Sequence, residues 1–365
     1  MKKIVCFLSS LIFVFTISCQ NEEDNKDEVP DQAVFDDTPY AFNPQGLPPP
    51  ALPADNTLTI EGVDLGKMLF FEPMLSKNGV QTCGSCHNQN NGFSDTARFS
   101  IGVEGLPGKR QAMPVFNMAW HSNEFFWDGR ANLLRDQALM PIEDPLEMNE
   151  TLENVIAKLS GSGIYPNQFI RAFGNSDITS EKMGLAMEQF MLSIVSGDSK
   201  YDRHEAGLAE LSESELRGLE LFETEYNPFF PEFSGADCAH CHGGSNFEND
   251  LYMNNGLDSD AEIIDFGREE ATDDPADRGK FKVSSLRNIA LTPPYMHDGR
   301  FSTLEEVVDH YNEGIITSST VDPALLATQS TGLMLTDQDK VDLVNFLHTL
   351  TDEAFVSNDE YANPF

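Results

Sequence analysis

The chain carries one chemical signature twice, in matching surroundings, and that duplication limits what it can fold into. Cys-x-x-Cys-His occurs at Cys83 to His87 and again at Cys238 to His242. Upstream of each stands Gly-x-x-Leu-Phe, at Gly66 to Phe70 and at Gly218 to Phe222. Downstream, VFNMAW (Val115 to Trp120) answers LRNIAL (Leu286 to Leu291), and FFWDGRANLL (Phe125 to Leu134) answers YMHDGRFSTL (Tyr295 to Leu304). The order is the same in both, so the chain reads as a repeated unit in which each copy builds its own metal-ligating environment.

Periodicity points to helices. Ser212-x-x-Glu215, Ser302-x-x-Glu305 and Thr336-x-x-Asp339 look like capping boxes before apolar runs. Between the copies, Met183, Met187, Phe190, Met191 and Ile194 share one helical face and read as core. No useful strand-period segment occurs, so the fold class is mostly α, with long loops and little strand. The Phe- and Pro-rich stretch 223–237 and the acidic stretch 273–280 read as loops.

Of six cysteines, Cys6 and Cys19 lie in an amino-terminal leader and the other four all fall inside the two motifs. None is left for a disulfide framework. Cys-x-x-Cys-His is the attachment signature of c-type haem: the thiols add to the vinyl groups and the adjacent histidine ligates the iron. A zinc site made from both cysteine pairs would leave the doubled histidine unexplained, and no βαβ pattern supports a thioredoxin-like pair. The expectation is two covalently bound haem c groups, held by Cys83, Cys86 and His87 and by Cys238, Cys241 and His242.

Function then depends on the opposite face of each iron. The stretch 303–312 places Leu304, Val307, Val308 and Tyr311 on one helical face, which directs Tyr311 inward as a hard oxygen ligand. Met334 is the alternative. Fourteen residues after Trp127 stands Pro141, just as Tyr311 follows His297 by fourteen. Proline cannot ligate iron, and no histidine, methionine or cysteine occurs between Asn88 and Ala112. The first haem is therefore expected to keep an open position, with His121 a weak competitor for it. An open haem backed by histidine suits hydrogen peroxide, whose O–O cleavage needs a proton moved between the oxygens. Glu147 is the candidate acid/base and Gln137 its hydrogen-bonding companion, while Glu143 and Asp144 compete on equal terms.

The leader, residues 1–19, has Lys2 and Lys3, fourteen apolar-leaning residues from Ile4 to Ile17, and Ser18-Cys19. That run is too short to span a bilayer and reads as an export signal with Cys19 as a lipid-anchored cysteine, so a periplasm-facing location is expected; cleavage to a soluble exported protein is the alternative. Residues 20–57 read as an acidic and Pro-rich tether, with order beginning near Leu58. A formal charge of −37, from 60 acids and 23 bases, disfavours nucleic acid and anionic lipid as partners and would steer a small basic electron carrier.

LFFEPMLSKNGVQTCGSCHNQNNGFSD, FFWDGR, PLEM, LRNIALTPPYMHDGR and LTDQDKVDLVNFLHTL resemble segments of the bacterial di-haem cytochrome c peroxidases, including their MauG-type branch. The resemblance covers nearly everything from Leu58 to Leu350. It implies two cytochrome c-like domains: an amino-terminal peroxidatic one (58–205) and a carboxy-terminal electron-transfer one (206–353), followed by a tail (354–365). It implies that Trp127 lies between the haems, that Glu147 rather than Glu143 is the catalytic glutamate, and that Gln137 is the active-site glutamine. Tyr311 falls where the MauG-type branch has a tyrosine ligand. The carbonyls of Thr292 and Pro294 match positions that help hold calcium, although Gln111-Ala112 stands where the family's asparagine ligand is expected. Val103 stands where peroxidases carry a histidine that blocks the first haem until the second is reduced. Family members are often homodimers. The expected activity is reduction of hydrogen peroxide to water with electrons from cytochrome c or a similar donor. Oxidation of a protein partner, as in the MauG-type branch, and a non-enzymatic di-haem electron carrier are the competing readings.

Overall fold

Helix Ile60–Phe70 lies on helix Ser180–Ser193, and helix Glu213–Glu223 lies on helix Asp337–Thr349. The repeated glycine explains why the two pairs look alike. A Cβ on Gly66 would sit 1.9 Å from the Ala186 carbonyl oxygen, and one on Gly218 would sit 2.0 Å from that of Asp342. Only a hydrogen fits at either crossing. The Leu-Phe that follows is buried in each copy, as Leu69-Phe70 and Leu221-Phe222. Phe70 meets Phe190 edge-on with ring centroids 5.4 Å apart, and Phe222 meets Phe346 at 5.1 Å. Gly218→Ala is expected to destabilise the protein by about 1–3 kcal/mol through overpacking, outweighing the ~1 kcal/mol that alanine gains in a helix interior. Urea unfolding of the variant measures it.

The computed structural model describes Met1 and residues 33–365, and the latter form one compact unit. The leader and Cys19 lie outside the described residues. Among the described residues no helix is long and apolar enough to cross a membrane. Regular structure is almost all helical, and the strands Tyr252–Met253 and Phe281–Lys282 are two residues each, paired antiparallel. The boxes at Ser212 and Thr336 form as expected. The third shifts by one residue, because Thr303 is the extended residue and its hydroxyl accepts from Glu306 N. The Glu306 carboxylate in return accepts from the amides of Ser302 and Thr303.

Two hydrophobic clusters form, one around Phe70, Phe93 and Phe190 and the other around Phe222, Phe247 and Phe346. Two expectations need correction here. The segment read as a tether up to residue 57 is packed from Tyr40 onward. Tyr40 N donates to Leu58 O at 3.1 Å, Leu47 is buried, and Trp120 Nε1 donates to Pro48 O at 2.8 Å. Proline-rich chain needs few backbone partners of its own, so Tyr40, Phe42 and Leu52 can pack on the first cluster without a regular element. The segment read as a tail, 354–365, supplies Phe355 and Tyr361 to the same cluster, each 3% exposed.

The repeat extends to backbone irregularities. Left-handed conformations recur at Phe93 and Phe247 (φ 56° and 53°), at Asn117 and Asn288 (54° and 56°), and at Phe126 and Met296 (69° and 74°). Such values are uncommon for residues other than glycine, so their recurrence in register marks one template used twice. The copies also grip each other reciprocally. Lys282 N donates to Trp127 O and Gln111 N to His297 O, both at 2.8 Å. Arg268 reaches the Asp128 carbonyl at 3.2 Å, and Arg98 reaches the Asp298 carbonyl at 2.7 Å.

Candidate active site

Each histidine is set by the turn that follows it. His87 Nδ1 is 3.1 Å from Phe93 O, and His242 Nδ1 is 3.2 Å from Phe247 O. The left-handed phenylalanine turns its carbonyl back to the ring. A donating Nδ1–H fixes the tautomer and leaves Nε2 as the ligating atom. Desolvation lowers the pKa of both rings, that of His242 to about 4, so the neutral imidazole prevails at pH 7. Burial pushes the Cys83 and Cys238 thiols up to about 12 and Cys241 to about 11. All four cysteines are free. Unpaired thiols beside a neutral imidazole, in the first motif bordering open space, fit thioether attachment of a haem. The zinc alternative fails: among the described residues no group of three His, Cys, Asp or Glu could hold a metal.

A partly open cavity adjoins the first motif. Cys83, Cys86 and His87 line it together with Gln137, Pro141 and Glu147. The residues expected to face the first haem are thus brought together from segments more than forty positions apart. Pro141 shapes this wall. In the second copy one helix runs unbroken over Leu304–Glu313, whereas the matching stretch of the first copy splits into Leu134–Gln137 and Met140–Glu143. A proline lacks the N–H that would continue the helix and clashes with the preceding turn. The break presents the Pro141 ring to the cavity and leaves Gln137 at the end of its own short helix.

Glu147 sits on a tight turn in which Leu146 N donates to Asp144 Oδ1 at 2.8 Å and Glu147 N to Asp144 O at 3.0 Å. Burial, reinforced by the charge of Asp144 and opposed by Arg130, raises its carboxyl to about 7. Glu143 is exposed, Asp144 is spent on the turn, and neither lines the cavity. The turn rests on the strip that holds Val103, whose N donates to Glu147 O at 2.8 Å. A Cβ on Gly102 would sit 2.1 Å from Leu146 O and 2.7 Å from Glu147 O. Gly102→Ala must therefore displace Glu147. We expect about a tenfold or greater loss of peroxide turnover with haem content unchanged, since displacements near 1 Å cost up to ~10²-fold. His121 is not among the lining residues; its Nδ1 lies 3.3 Å from Asp250 Oδ1 and 3.7 Å from Glu248 Oε2.

Near the second motif, Tyr311 packs against the second cluster from helix Leu304–Glu313. Burial raises its phenol to about 12, the thiols of Cys241 and Cys238 add to the shift, and the side chain of Asn255 hydrogen-bonds it. The phenol thus lies within electrostatic reach of both thiols. Met334 is half-buried in a left-handed conformation, on a segment tied to Asn312 by Leu333 N at 3.0 Å and Leu335 N at 3.2 Å. Sequence reasoning missed Asn255, Met253 (Sδ 3.3 Å from Cys241 Sγ) and Gln81, whose amide lies 3.5 Å from Cys86 Sγ. The signal for Asn255 was present: Asn255-Gly256-Leu257 parallels Ile101-Gly102-Val103.

Trp127 is joined to both copies, donating from Nε1 to Gln111 O at 2.8 Å while its carbonyl accepts from Lys282 N. Its counterpart His297 stacks on Phe281, centroids 3.6 Å apart. Thr292 immediately precedes a cis peptide bond between Pro293 and Pro294. Gln111 turns its amide NH₂ to Ser94 Oγ and Asp95 O.

Residues 60–210 match the family model described as di-haem cytochrome c peroxidase. The MauG methylamine utilization protein of Methylorubrum extorquens is 35% identical over 312 residues, 85% of this chain and 83% of that protein. The cytochrome c551 peroxidase of Nitrosomonas europaea is 37% identical over 249 residues, 67% of this chain and 71% of that protein. The crystal structure of a MauG-like protein associated with microbial copper homeostasis superposes with a TM-score of 0.78 at 33% identity, covering 88% of this chain and 98% of that one. Sequence, cavity and overall likeness agree that the chain belongs to the di-haem cytochrome c peroxidase family, MauG-type proteins included.

Proposed function

We propose that the protein reduces hydrogen peroxide to water, taking two electrons one at a time from a cytochrome c or similar donor. The observation that carries this reading is the cavity that Glu147, Gln137 and Pro141 line together with His87, while the methionines that also border it, Met148, Met187 and Met191, are packed in the first core cluster. A haem held there by Cys83, Cys86 and His87 would supply the redox-active iron at which peroxide binds. Glu147, as carboxylate, takes the proton from the near peroxide oxygen and returns it to the far one, so that water departs. The Gln137 amide orients the peroxide. Pro141 closes the wall without offering a ligand. The second haem, on Cys238, Cys241, His242 and Tyr311, would serve as electron relay, with Trp127 between the two.

In this reading 58–205, joined by the core residues from 40–57 and 354–365, and 206–353 are the two haem-binding domains, and the chain is exported and held at a periplasm-facing membrane through Cys19. Steady-state assay with peroxide and reduced cytochrome c tests the activity. Absence of turnover with several donors would overturn it.

Oxidation of a protein partner is the second reading. Val103, anchored to Glu147 O where a gating histidine would stand, and the placement of Tyr311 both favour it. A radical or crosslink forming on a co-purifying protein after addition of peroxide would support it over the first.

A further inference from the structure

The loop entering the second haem motif carries an apolar tip that the folded core does not use. Phe229, Phe230 and Phe233 are 85%, 57% and 71% exposed. Together they present on the order of 400 Å² of aromatic surface, the size of a functional patch on a soluble protein. The tip is also built rigidly. Asn227 Oδ1 accepts from the amides of Phe229 and Phe230, both at 3.1 Å, and Ser234 Oγ accepts from Asn227 N at 2.9 Å. Pro231 opens the short 3₁₀ turn Pro231–Phe233. At the base, Gly235 N donates to Glu225 O at 3.1 Å and Asp237 N to Thr224 O at 3.0 Å. Three rings held exposed to water, the nearest of them four positions before Asp237, form a surface ready to be covered.

The charges around the tip say by what. Glu223, Glu225 and Glu232 are exposed and Asp237 is half-buried, while stretch 223–237 contains no lysine or arginine. A second copy would bring the same acidic rim to the contact, and an anionic bilayer would be repelled by a chain of charge −37. We propose that this loop docks a small basic redox protein, with an apolar centre ringed by lysines, so that its electrons enter beside the second haem motif. The proposal rests on the peroxidase reading: two reduced partners give one electron each, and peroxide with two protons becomes two waters. Apolar centre and charged rim divide the work, the rings setting residence time and the carboxylates the encounter rate.

The test compares the holoprotein with its F229S/F230S/F233S variant, using a lysine-rich mitochondrial-type cytochrome c and, separately, hexaammineruthenium(II), a small donor that needs no docking face. The variant is expected to raise KM for cytochrome c at least tenfold and leave the ruthenium-driven rate unchanged. KM of the unaltered protein should rise steeply with salt. An unchanged KM for cytochrome c would overturn the proposal. So would a loss of dimer mass in light scattering, which would assign the face to a second copy, or a loss of binding to phosphatidylcholine vesicles, which would assign it to lipid. If the unaltered protein reduced no peroxide even with ruthenium, the peroxidase reading would fail. Calorimetric titration with cytochrome c would then still decide the docking face.

Discussion

Replacing Glu147 by glutamine is expected to lower peroxide turnover by about 10²–10⁴-fold while both haems remain attached. Glutamine keeps the shape and hydrogen-bonding reach of the side chain, so the loss measures proton transfer. The pH profile gives a second check. The working form is the carboxylate, and burial together with Asp144 raises its pKa to about 7. The rate should therefore rise as pH increases through about 7 and fall roughly tenfold per unit below it. A carboxyl of ordinary pKa would give a flat profile over that range. Asp144→Asn, which retains an acceptor for Leu146 N, should move the midpoint down, and Arg130→Gln should move it up, because the two charges act on Glu147 in opposite directions. An unchanged rate in Glu147→Gln would remove this residue from the mechanism.

Replacing Tyr311 by phenylalanine is expected to change the state of one whole haem centre. The unaltered ferric protein should show one high-spin haem, at His87, and one six-coordinate haem, at His242. Phenylalanine preserves the ring packed on the second cluster and deletes only the oxygen. A second high-spin signal should then appear in electron paramagnetic resonance, with cyanide binding to two sites instead of one. If Met334 were the ligand, the variant would keep the original spectrum and Met334→Ala would produce the change. Cyanide-free low-spin spectra for both haems in the unaltered protein would leave no open iron for peroxide, whatever Glu147 does.

Much of the site was readable before folding was considered, because its signals are local. The spacing of Cys83, Cys86 and His87 lies within one turn. The inability of Pro141 to ligate iron follows from its side chain, and the packing helix Ser180–Ser193 shows in its apolar period. The choice among Glu143, Asp144 and Glu147 was not readable from composition. It depends on which side of a tight turn faces a cavity whose far wall comes from residues 83–87, and the family resemblance was needed to favour Glu147. The capping box near residue 303 was misplaced by one position because Ser302, Thr303 and two consecutive glutamates offer two registers, and only backbone conformation separates them.

The sequence by itself determined the duplicated helical template, the two histidines with their thiols, and the contrast between Pro141 and Tyr311, since each is written in contiguous residues. Tertiary structure alone decided that Tyr40, Phe42, Leu52, Phe355 and Tyr361 belong to the first core, and that Arg98 and Arg268 each grip a loop of the opposite copy. It also decided that Gly102 presses against the turn bearing Glu147. Burial and close approach arise between segments far apart in the chain, and so does the raised pKa of Glu147, which depends on its carboxyl being withdrawn from water.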